Sequence, residues 1–275
     1  MSERPTGTLV AGLVSDLAAE AWDLLRVLRG LSDAAWLTPT PAEGWTVHDQ
    51  VAHLAHFDWA TRLAITEPDR FRPLRDSLED PEKLQHYIDA VGPANESRDG
   101  ADMVAWWTMQ NEALCSAALS ADPDRRVPWF GPSMSLASKL TARIMEAWAH
   151  GQDVVDALGI SRRPTDRLAH VARIGVLALP HSFRLHGHEV PDDPVLVVLR
   201  APSGEIWRWG PDDAIDVVTG DALDFCLVVT QRRHVDDTSL DVSGPTATRW
   251  MRVAQAFAGS PGTGRRPGEF RGEPR

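Results

Sequence analysis

Apolar residues recur at helical spacing in four long segments within the first 160 residues of the chain. Because residues three and four apart share one face of an α-helix, each segment predicts an amphipathic helix. Gly30 is placed to end the first helix and Gly159 to end the fourth, while Thr46 and Asp49 form a Thr-x-x-Asp capping box before the second. Four such helices predict a four-helix bundle. They cover residues 8–29, 47–65, 101–119 and 135–158.

The connections between these helices are predicted to be less regular. The segment after the second helix is polar and interrupted by prolines, with one short helix over residues 81–90 that Asp80 caps. Residues 127–132, Val-Pro-Trp-Phe-Gly-Pro, predict an irregular loop before the fourth helix. Its Trp129 and Phe130 either wall the mouth of the bundle or take part in ordinary packing.

The pattern changes near residue 164, after which β-rich apolar runs alternate with short helices. The turn sequence Ala-Pro-Ser-Gly joins two of these runs and predicts a hairpin. Mixed helices and antiparallel strands of this kind predict an α+β domain. The predicted strands are 194–200, 205–209, 215–218 and 239–242, and the predicted helices are 165–179, 221–233 and 246–258.

The predicted fold class is therefore α+β, with two domains. An N-terminal four-helix bundle covers residues 1–162, and a smaller α+β C-terminal domain covers residues 163–258. From Gly259 onward Gly, Pro and Arg dominate, which predicts a disordered tail over residues 259–275.

Composition narrows the function further. The 275 residues are 43% hydrophobic and 24% charged, which suffices for a sizeable core, and the net charge of -11 argues against a nucleic-acid partner. No apolar run approaches the roughly 18–20 residues of a membrane span, and Asp16 and Glu20 soon follow the N-terminus, unlike a secretion signal. A cytoplasmic protein without a membrane partner is expected. Cys115 and Cys226 lie in apolar helical patterns, where inert thiols are expected.

The second predicted helix carries a polar stripe of Asp49, His53 and His56, spaced four and three residues apart. Taken alone this signal is weak, because two histidines on one helix are more often surface or capping residues than metal ligands.

The fourth predicted helix carries Arg143, Glu146, His150 and Asp153 along one face. Glu146 and His150 are one turn apart, a separation at which a carboxylate and an imidazole can meet at one metal ion. The alternative is a solvated face on which Arg143 pairs with Glu146; Arg143 otherwise presents a cation to an anionic substrate. A polar stripe at His53 on another helix favours a metal site, because facing bundle helices often project ligands inward.

Two stretches carry a family resemblance. Residues 43–54, Glu-Gly-Trp-Thr-Val-His-Asp-Gln-Val-Ala-His-Leu, closely resemble the opening signature of the DinB/YfiT-like superfamily, in the branch of the mycothiol-dependent maleylpyruvate isomerases of actinobacteria. Residues 146–153, Glu-Ala-Trp-Ala-His-Gly-Gln-Asp, resemble that family's second signature. The resemblance covers about residues 8–258 and implies a bundle that holds a divalent metal, typically zinc. The signatures are specific for fold and site and much less so for reaction.

The resemblance places the family's His–Glu–His ligand set on His53, Glu146 and His150. Three protein ligands leave open coordination positions, as in a catalytic rather than a structural zinc site, although His/Glu sites accept several divalent metals. His56 is the main rival ligand, or lines the pocket. Asp153 either orients His150 or faces water.

The family also supplies an arginine from its C-terminal domain to the active site. The corresponding stretch here, residues 231–234, ends a predicted helix, so Arg232 is the predicted catalytic arginine. The local Thr-Gln-Arg-Arg differs from the family's more usual Gly-Arg ending, which leaves Arg233, or simple capping of the helix, as alternatives.

The resemblance implies an enzyme that uses a divalent metal to activate a low-molecular-weight thiol, with mycothiol as the cosubstrate. The thiolate isomerises, or is transferred to, a small electrophilic metabolite. One alternative is a non-catalytic metal or small-ligand-binding protein, favoured by the 11 tryptophans and the departure around Arg232. The other is a metal-dependent hydrolase in which Asp49 or His56 is the base.

Overall fold

The structure, a computed structural model, describes residues 6–270 of the chain. It forms two compact units that divide between Ile160 and Ser161. The first is helical and the second combines helices with a four-stranded sheet, so the helix-rich α+β class is confirmed. The domain limits of 162 and 258 stay predictions.

The first unit contains seven α-helices and one small hairpin among the described residues. Of the four long helices, α1 packs against α6 and α7, and α3 packs against the same two. The bounds are α1 Thr6–Leu28, α2 Asp33–Trp36, α3 Val47–Thr66, α4 Pro68–Ser77, α5 Pro81–Asp89, α6 Gly100–Ser120, α7 Leu136–Leu158, β1 Arg126–Val127 and β2 Met134–Ser135.

Local signals explain where the long helices begin and end. The Thr46 side chain accepts a hydrogen bond from the Asp49 N–H while the Asp49 carboxylate accepts from the Thr46 N–H, the reciprocal capping box that was predicted. Ser135 caps α7, and Gly159 ends it in the left-handed region with φ of 64°. All four long helices lie within two residues of their predicted bounds.

Two apolar clusters fill the first unit. One includes Leu17, Phe71 and Leu140, and the other includes Leu28 and Trp107. They meet at residues 55–57 of α3 and 144–147 of α7, the level of the polar residues described below. Packing on both sides buries 15 residues of the 20-residue α3.

Three elements of the first unit were not predicted. The polar connection after α3 contains α4, which starts with Pro68 and is anchored by the fully buried Phe71. A proline in the first turn is compatible with a helix because its missing N–H would have no partner there. The predicted loop 127–132 lies inside the β1–β2 hairpin, and α2 precedes α3.

The second unit is built on a mixed sheet with strand order β4-β3-β5-β6. Its bounds are α8 Leu168–Leu177, α9 Leu179–Leu185, β3 Val195–Arg200, β4 Ile206–Trp209, β5 Asp216–Asp221, α10 Ala222–Val229, β6 Asp241–Ser243 and α11 Pro245–Val253.

The β3–β4 hairpin is confirmed, with Val197 opposite Trp209. The expectation of antiparallel strands alone is wrong, because β5 pairs parallel to β3, with Val195 opposite Asp216. Residues 210–215 carry the chain from β4 past β3 to the other side of β3, where β5 lies between β3 and β6. The alternation of apolar residues does not specify which strands are neighbours. The sequence pattern therefore predicted the strands but not their order.

All three predicted helices of this unit have different limits. The helix predicted over 246–258 is α11, which ends at Val253. The helix 165–179 is replaced by α8 and α9, with Pro180 in the first turn of α9. The helix 221–233 ends at Val229, because Gln231 takes a left-handed φ of 61°. Arg232 therefore follows a turn instead of ending a helix.

The segment predicted as a disordered tail is described as far as residue 270, and residues 271–275 lie outside the described range. Over 259–270 it has turns but neither helix nor strand; the Gly268 N–H donates to Asp237 and the Arg233 guanidinium lies over the Phe270 ring. Within residues 6–270, every helix is too short or too polar to cross a bilayer.

Candidate metal centre

Packing of α3 against α7 brings the three predicted ligands together. His53 Nε2 lies 3.2 Å from Glu146 Oε2, and His150 Nε2 lies 3.3 Å from the same oxygen. One ligand atom from each residue lies within 4.8 Å of the other two. His53 and Glu146 are 93 residues apart in the chain, so this cluster exists only through the tertiary fold.

The protonation states suit a cation. Burial and the neighbouring His150 lower the pKa of His53 from 6.5 to about 3, so this imidazole is neutral at pH 7. Burial raises the pKa of Glu146, but the contacts with His150 and His53 outweigh it and hold that pKa well below its ordinary value. A neutral imidazole beside an ionised carboxylate is the state in which these groups bind metals.

The donor set also fits a metal ion. His150 Nδ1 lies 2.5 Å from Gln50 Oε1, an oxygen that can only accept, so Nδ1 carries the proton. In the neutral ring Nε2 then presents its lone pair to the Glu146 carboxylate. Two facing lone pairs repel unless a proton or a metal ion lies between them, so the cluster fits a bound cation.

The α3 side is less constrained. His53 Nδ1 is buried and has no hydrogen-bond partner among residues 6–270. The two imidazoles thus differ, because within this range Nδ1 has a hydrogen-bond partner in His150 and none in His53.

Arg143 links this cluster to Asp58, a buried carboxylate. Its Nε donates to Asp58 Oδ1 at 3.0 Å and its Nη2 to the Leu54 carbonyl at 3.2 Å, whereas Nη1 lies 3.9 Å from Glu146 Oε2. The Arg143 side chain is 3% exposed. Of the two predicted roles, the salt bridge is present, but Asp58 is its closer partner.

Aromatic rings wall the cluster. The Trp45 ring stacks on the His150 ring with a centroid distance of 5.9 Å and lies 5.3 Å from that of His53. The Phe57 ring contacts His53 at 4.5 Å on the other side. These rings cover the two imidazoles, whereas the Glu146 side chain is 25% exposed.

Three residues weighed from the sequence lie elsewhere. Asp49 is committed to the capping box with Thr46. His56 Nε2 lies 2.6 Å from the Tyr87 hydroxyl, and burial followed by the charge of Arg143 lowers its pKa to about 4. Asp153 is 1% exposed, so it does not face water.

Arg232 lies in the second unit, where its Nη1 donates to the Thr230 carbonyl at 2.7 Å. Its catalytic role stays a prediction.

The two cysteines are free thiols. Burial, followed by the charge of Asp58, raises the pKa of Cys115 to about 12, and burial raises that of Cys226 well above its usual range. Neither is activated as a nucleophile, as expected for buried thiols in apolar surroundings.

Sequence reasoning missed Gln50, Trp45 and Asp58. The predicted stripe on α3 was Asp49, His53 and His56. In the structure His53 instead shares its face of α3 with Gln50 and Phe57, each one residue further along the chain than its predicted counterpart. Both stripes follow helical spacing, and only the capping motif at Asp49 was a signal against the wrong one.

Comparison with known proteins gives one family model and two sequence relatives that match this chain. The model of the family described as the mycothiol maleylpyruvate isomerase N-terminal domain matches residues 17–155, about half of the chain. The chain is 40% identical over 252 residues to the uncharacterized proteins MT0041 and Rv0036c from two strains of Mycobacterium tuberculosis, covering 92% of this chain and 97% of each relative.

Two solved structures are similar in fold. They are the mycothiol-dependent maleylpyruvate isomerase and a mutant of it in which alanine replaces a histidine, with TM-scores of 0.54 and 0.56. Identity is 16%, with 86% of this chain and 93% of each structure covered. At that identity the likeness concerns the fold alone.

Proposed function

The chain belongs to the mycothiol maleylpyruvate isomerase N-terminal domain family, and on that premise we propose that it is a divalent-metal-dependent enzyme. It activates a low-molecular-weight thiol, mycothiol, for the isomerisation of a small electrophilic metabolite or for transfer of the thiol to it. We assign His53, Glu146 and His150 as ligands of the metal, zinc in the first instance, and the four long helices as the DinB-like bundle that holds them.

One observation carries this proposal. A neutral imidazole, an ionised carboxylate and a second imidazole come from α3 and α7 and lie within 4.8 Å of one another. Three ligands of these types suit zinc and leave room for a further ligand, as catalytic zinc sites do.

A divalent cation bound there lowers the pKa of a thiol and so supplies the thiolate. The residues around it do the positioning. Gln50 holds the His150 ring, Arg143 lies 3.9 Å from the Glu146 carboxylate, and Trp45 and Phe57 cover the two imidazoles. Because the cluster is walled by rings, a small substrate fits it better than a macromolecule.

The reaction class follows from thiolate chemistry. Addition of a thiolate to an activated carbon–carbon double bond leaves a single bond that can rotate, and elimination of the thiolate then gives the other geometric isomer. If the carbanion formed by the addition instead takes up the proton that the thiol released, the adduct is retained and the same chemistry is an S-transfer. An anionic substrate needs a cation; Arg143 is committed to Asp58, so we assign this task to Arg232.

Metal analysis of the purified protein is the first test. We expect about one divalent ion per chain in the wild type and little in His150→Ala. The exposed His181 provides a matched control, and His181→Ala should keep its metal. A wild type without a divalent ion, or an equal metal content in His150→Ala, contradicts the proposed centre.

A second candidate function is a non-catalytic metal and ligand-binding protein. It is favoured by a hollow of about 310 Å³ lined by His56, Trp59, Trp106 and Gln110. The two candidates separate in an assay that follows free mycothiol and the isomerisation of maleylpyruvate. Turnover that depends on metal supports the enzyme, whereas bound metal without thiol consumption supports the binding protein.

A further inference from the structure

The Gln50 side chain is fully buried behind His150, on the side away from Glu146. We infer that Gln50 is a positioning residue: a hydrogen-bond chain that starts at a backbone carbonyl fixes its amide, and the amide fixes His150 in the tautomer whose Nε2 is free to bind a cation. The inference rests on the proposed metal centre.

The chain of hydrogen bonds has three links. The Thr40 hydroxyl donates to the Trp45 carbonyl at 2.8 Å, and Gln50 Nε2 donates to Thr40 Oγ1 at 2.9 Å. Gln50 Oε1 then accepts from His150 Nδ1 at 2.5 Å. Thr40 is 9% exposed, so water competes little for these groups.

The direction of every link follows from what each group can donate. A backbone carbonyl only accepts, so the single hydroxyl proton of Thr40 points to Trp45. The other carbonyl near this hydroxyl, that of Ala42 at 3.5 Å, leads to the same conclusion. Thr40 Oγ1 must therefore accept from the amide nitrogen of Gln50, and this leaves the amide oxygen for His150.

The backbone that starts the chain is itself held in place. Residues 39 and 46 form an isolated β-bridge, the Thr40 N–H donates to the Trp45 carbonyl at 2.7 Å, and the Val47 N–H donates to the Thr38 carbonyl at 3.0 Å. The loop that carries Thr40 is thus fastened to the first turn of α3, the helix that also carries Gln50 and His53.

The consequence for His150 is a defined tautomer. A neutral imidazole has one N–H, and in water the proton can occupy either nitrogen. With Nδ1–H bound to Gln50, the Nε2 lone pair faces Glu146 Oε2 at 3.3 Å. Without Gln50 the proton could settle on Nε2, where it would bond to Glu146 and block the cation.

The first test measures the tautomer in metal-free protein at pH 8, through two-bond ¹H–¹⁵N correlations of the histidine rings. We expect the Nδ1–H pattern for His150 in the wild type and its loss in Gln50→Leu. An Nε2–H pattern in the wild type overturns the inference. Because no metal is present, this result is independent of whether the proposed metal centre exists.

The second test measures zinc affinity by competition with a chromophoric chelator. Gln50→Leu should bind about 10- to 100-fold more weakly, the usual cost of losing a partner that orients a ligand. Gln50→Glu keeps an acceptor for Nδ1–H and should stay within a few-fold of the wild type, which a purely structural role for the amide would not produce. Equal affinity of Gln50→Leu and the wild type overturns the inference.

A milder variant covers the case in which Gln50→Leu does not fold. Thr40→Val removes the acceptor that orients the amide and should weaken zinc binding by a smaller factor. Thr61 is another buried threonine, and its hydroxyl donates to the Phe57 carbonyl, so Thr61→Val is the matched control and should bind zinc as the wild type does. Equal affinities of the two valine variants contradict the chain. A wild type that binds no zinc refutes the metal centre instead.

Discussion

Arg143 lies between two carboxylates that have opposite surroundings, the buried Asp58 and the partly exposed Glu146. Asp58 accepts hydrogen bonds from Trp107 Nε1 at 3.0 Å and Asn111 Nδ2 at 3.1 Å, in addition to Arg143 Nε at 3.0 Å. Glu146 instead faces two imidazole nitrogens, with the nearest guanidinium nitrogen 3.9 Å away. Both carboxylates sit on the packed faces of α3 and α7.

This difference separates the structural carboxylate Asp58 from Glu146, the proposed metal ligand. The three hydrogen-bond partners named above for Asp58 are all donors, so the fold itself compensates its charge. Beside Glu146 at least one neighbour, His150 Nε2, presents a lone pair in its neutral form, and that contact is satisfied by a proton on the nitrogen or by an added cation. Asp58 is the more deeply buried of the two, with 2% of its side chain exposed against 25% for Glu146, and the donor or acceptor character of their neighbours separates them further.

The largest expected effect tests the structural half of this comparison. Arg143→Met leaves Asp58 buried without its counter-ion, and we expect a loss of about 3–5 kcal/mol in the free energy of unfolding. Urea denaturation measures it. The matched control is Arg26→Met, since Arg26 pairs with Asp23 at a side-chain exposure of 63%. A loss below about 1 kcal/mol for Arg143→Met would mean that Asp58 does not depend on this cation.

The next prediction compares the two carboxylates directly in metal-free protein. Asp58→Asn presents an amide to three donors, so we expect a loss of about 2–3 kcal/mol in unfolding free energy. Glu146→Gln should cost less than about 1 kcal/mol, because the amide can donate to an imidazole lone pair. Zinc affinity should respond in the reverse order, with the larger loss in Glu146→Gln. The opposite ranking in either measurement contradicts the assignment of roles.

A third prediction concerns His56, a buried histidine outside the cluster of ligands. Its pKa is lowered from 6.5 to about 4 by burial and then by Arg143. The unfolded chain therefore binds a proton at higher pH than the folded protein does. Stability is complete above about pH 6.5 and falls as the pH drops toward about 4, by about 2 kcal/mol after allowance for partial exposure.

The measurement is the unfolding free energy from pH 7.5 to 4 in wild type and His56→Gln. The variant should lose less stability across that range, because glutamine does not titrate. His181→Ala, at an exposed position, should follow the wild type. Parallel curves for wild type and His56→Gln would show that His56 is not the group that senses acid.

The sequence predicts the helices and the Glu146–His150 pair better than it predicts the neighbours of Asp58 and Gln50. The four long helices, the Thr46–Asp49 box and the Glu146–His150 spacing follow from local rules, and these were predicted. Asp58 and Gln50 were not, because α3 is buried on nearly all sides and its sequence therefore has no single apolar stripe. Which polar residue faces which neighbour is decided by packing between helices 85 or more residues apart in the chain, such as Arg143 against Asp58.

The resemblance to a family supplied what periodicity could not. Helical spacing left both His53 and His56 as ligand candidates. The resemblance favoured His53, and the structure places His53 beside Glu146 and His150. In the second unit no motif indicated the parallel pairing of β3 and β5. The short connection between β4 and β5 carries no sequence signal of the strand with which β5 pairs.

The smallest expected effect comes from a buried lysine that contacts an aromatic ring instead of a carboxylate. Lys139 lies one turn before Arg143 on α7, is 2% exposed, and places its Nζ 3.0 Å from the centroid of the Trp129 ring, without an ion pair among residues 6–270.

Burial, followed by the charge of Arg143, lowers the Lys139 pKa well below its ordinary value, so folding is penalised wherever the unfolded chain holds this proton. Lys139→Met removes that penalty and loses a cation–π contact, for a net gain of about 1 kcal/mol near pH 7. The gain should shrink as the pH rises toward the ordinary lysine pKa, where both states of the wild type are neutral. The exposed Lys83 provides the control, and Lys83→Met should change stability by less than about 0.5 kcal/mol. A destabilised Lys139→Met would mean that the contact with the Trp129 indole stabilises the fold by more than burial of the ammonium group costs. Trp129 would then compensate the charge of Lys139, as Asp58 compensates that of Arg143.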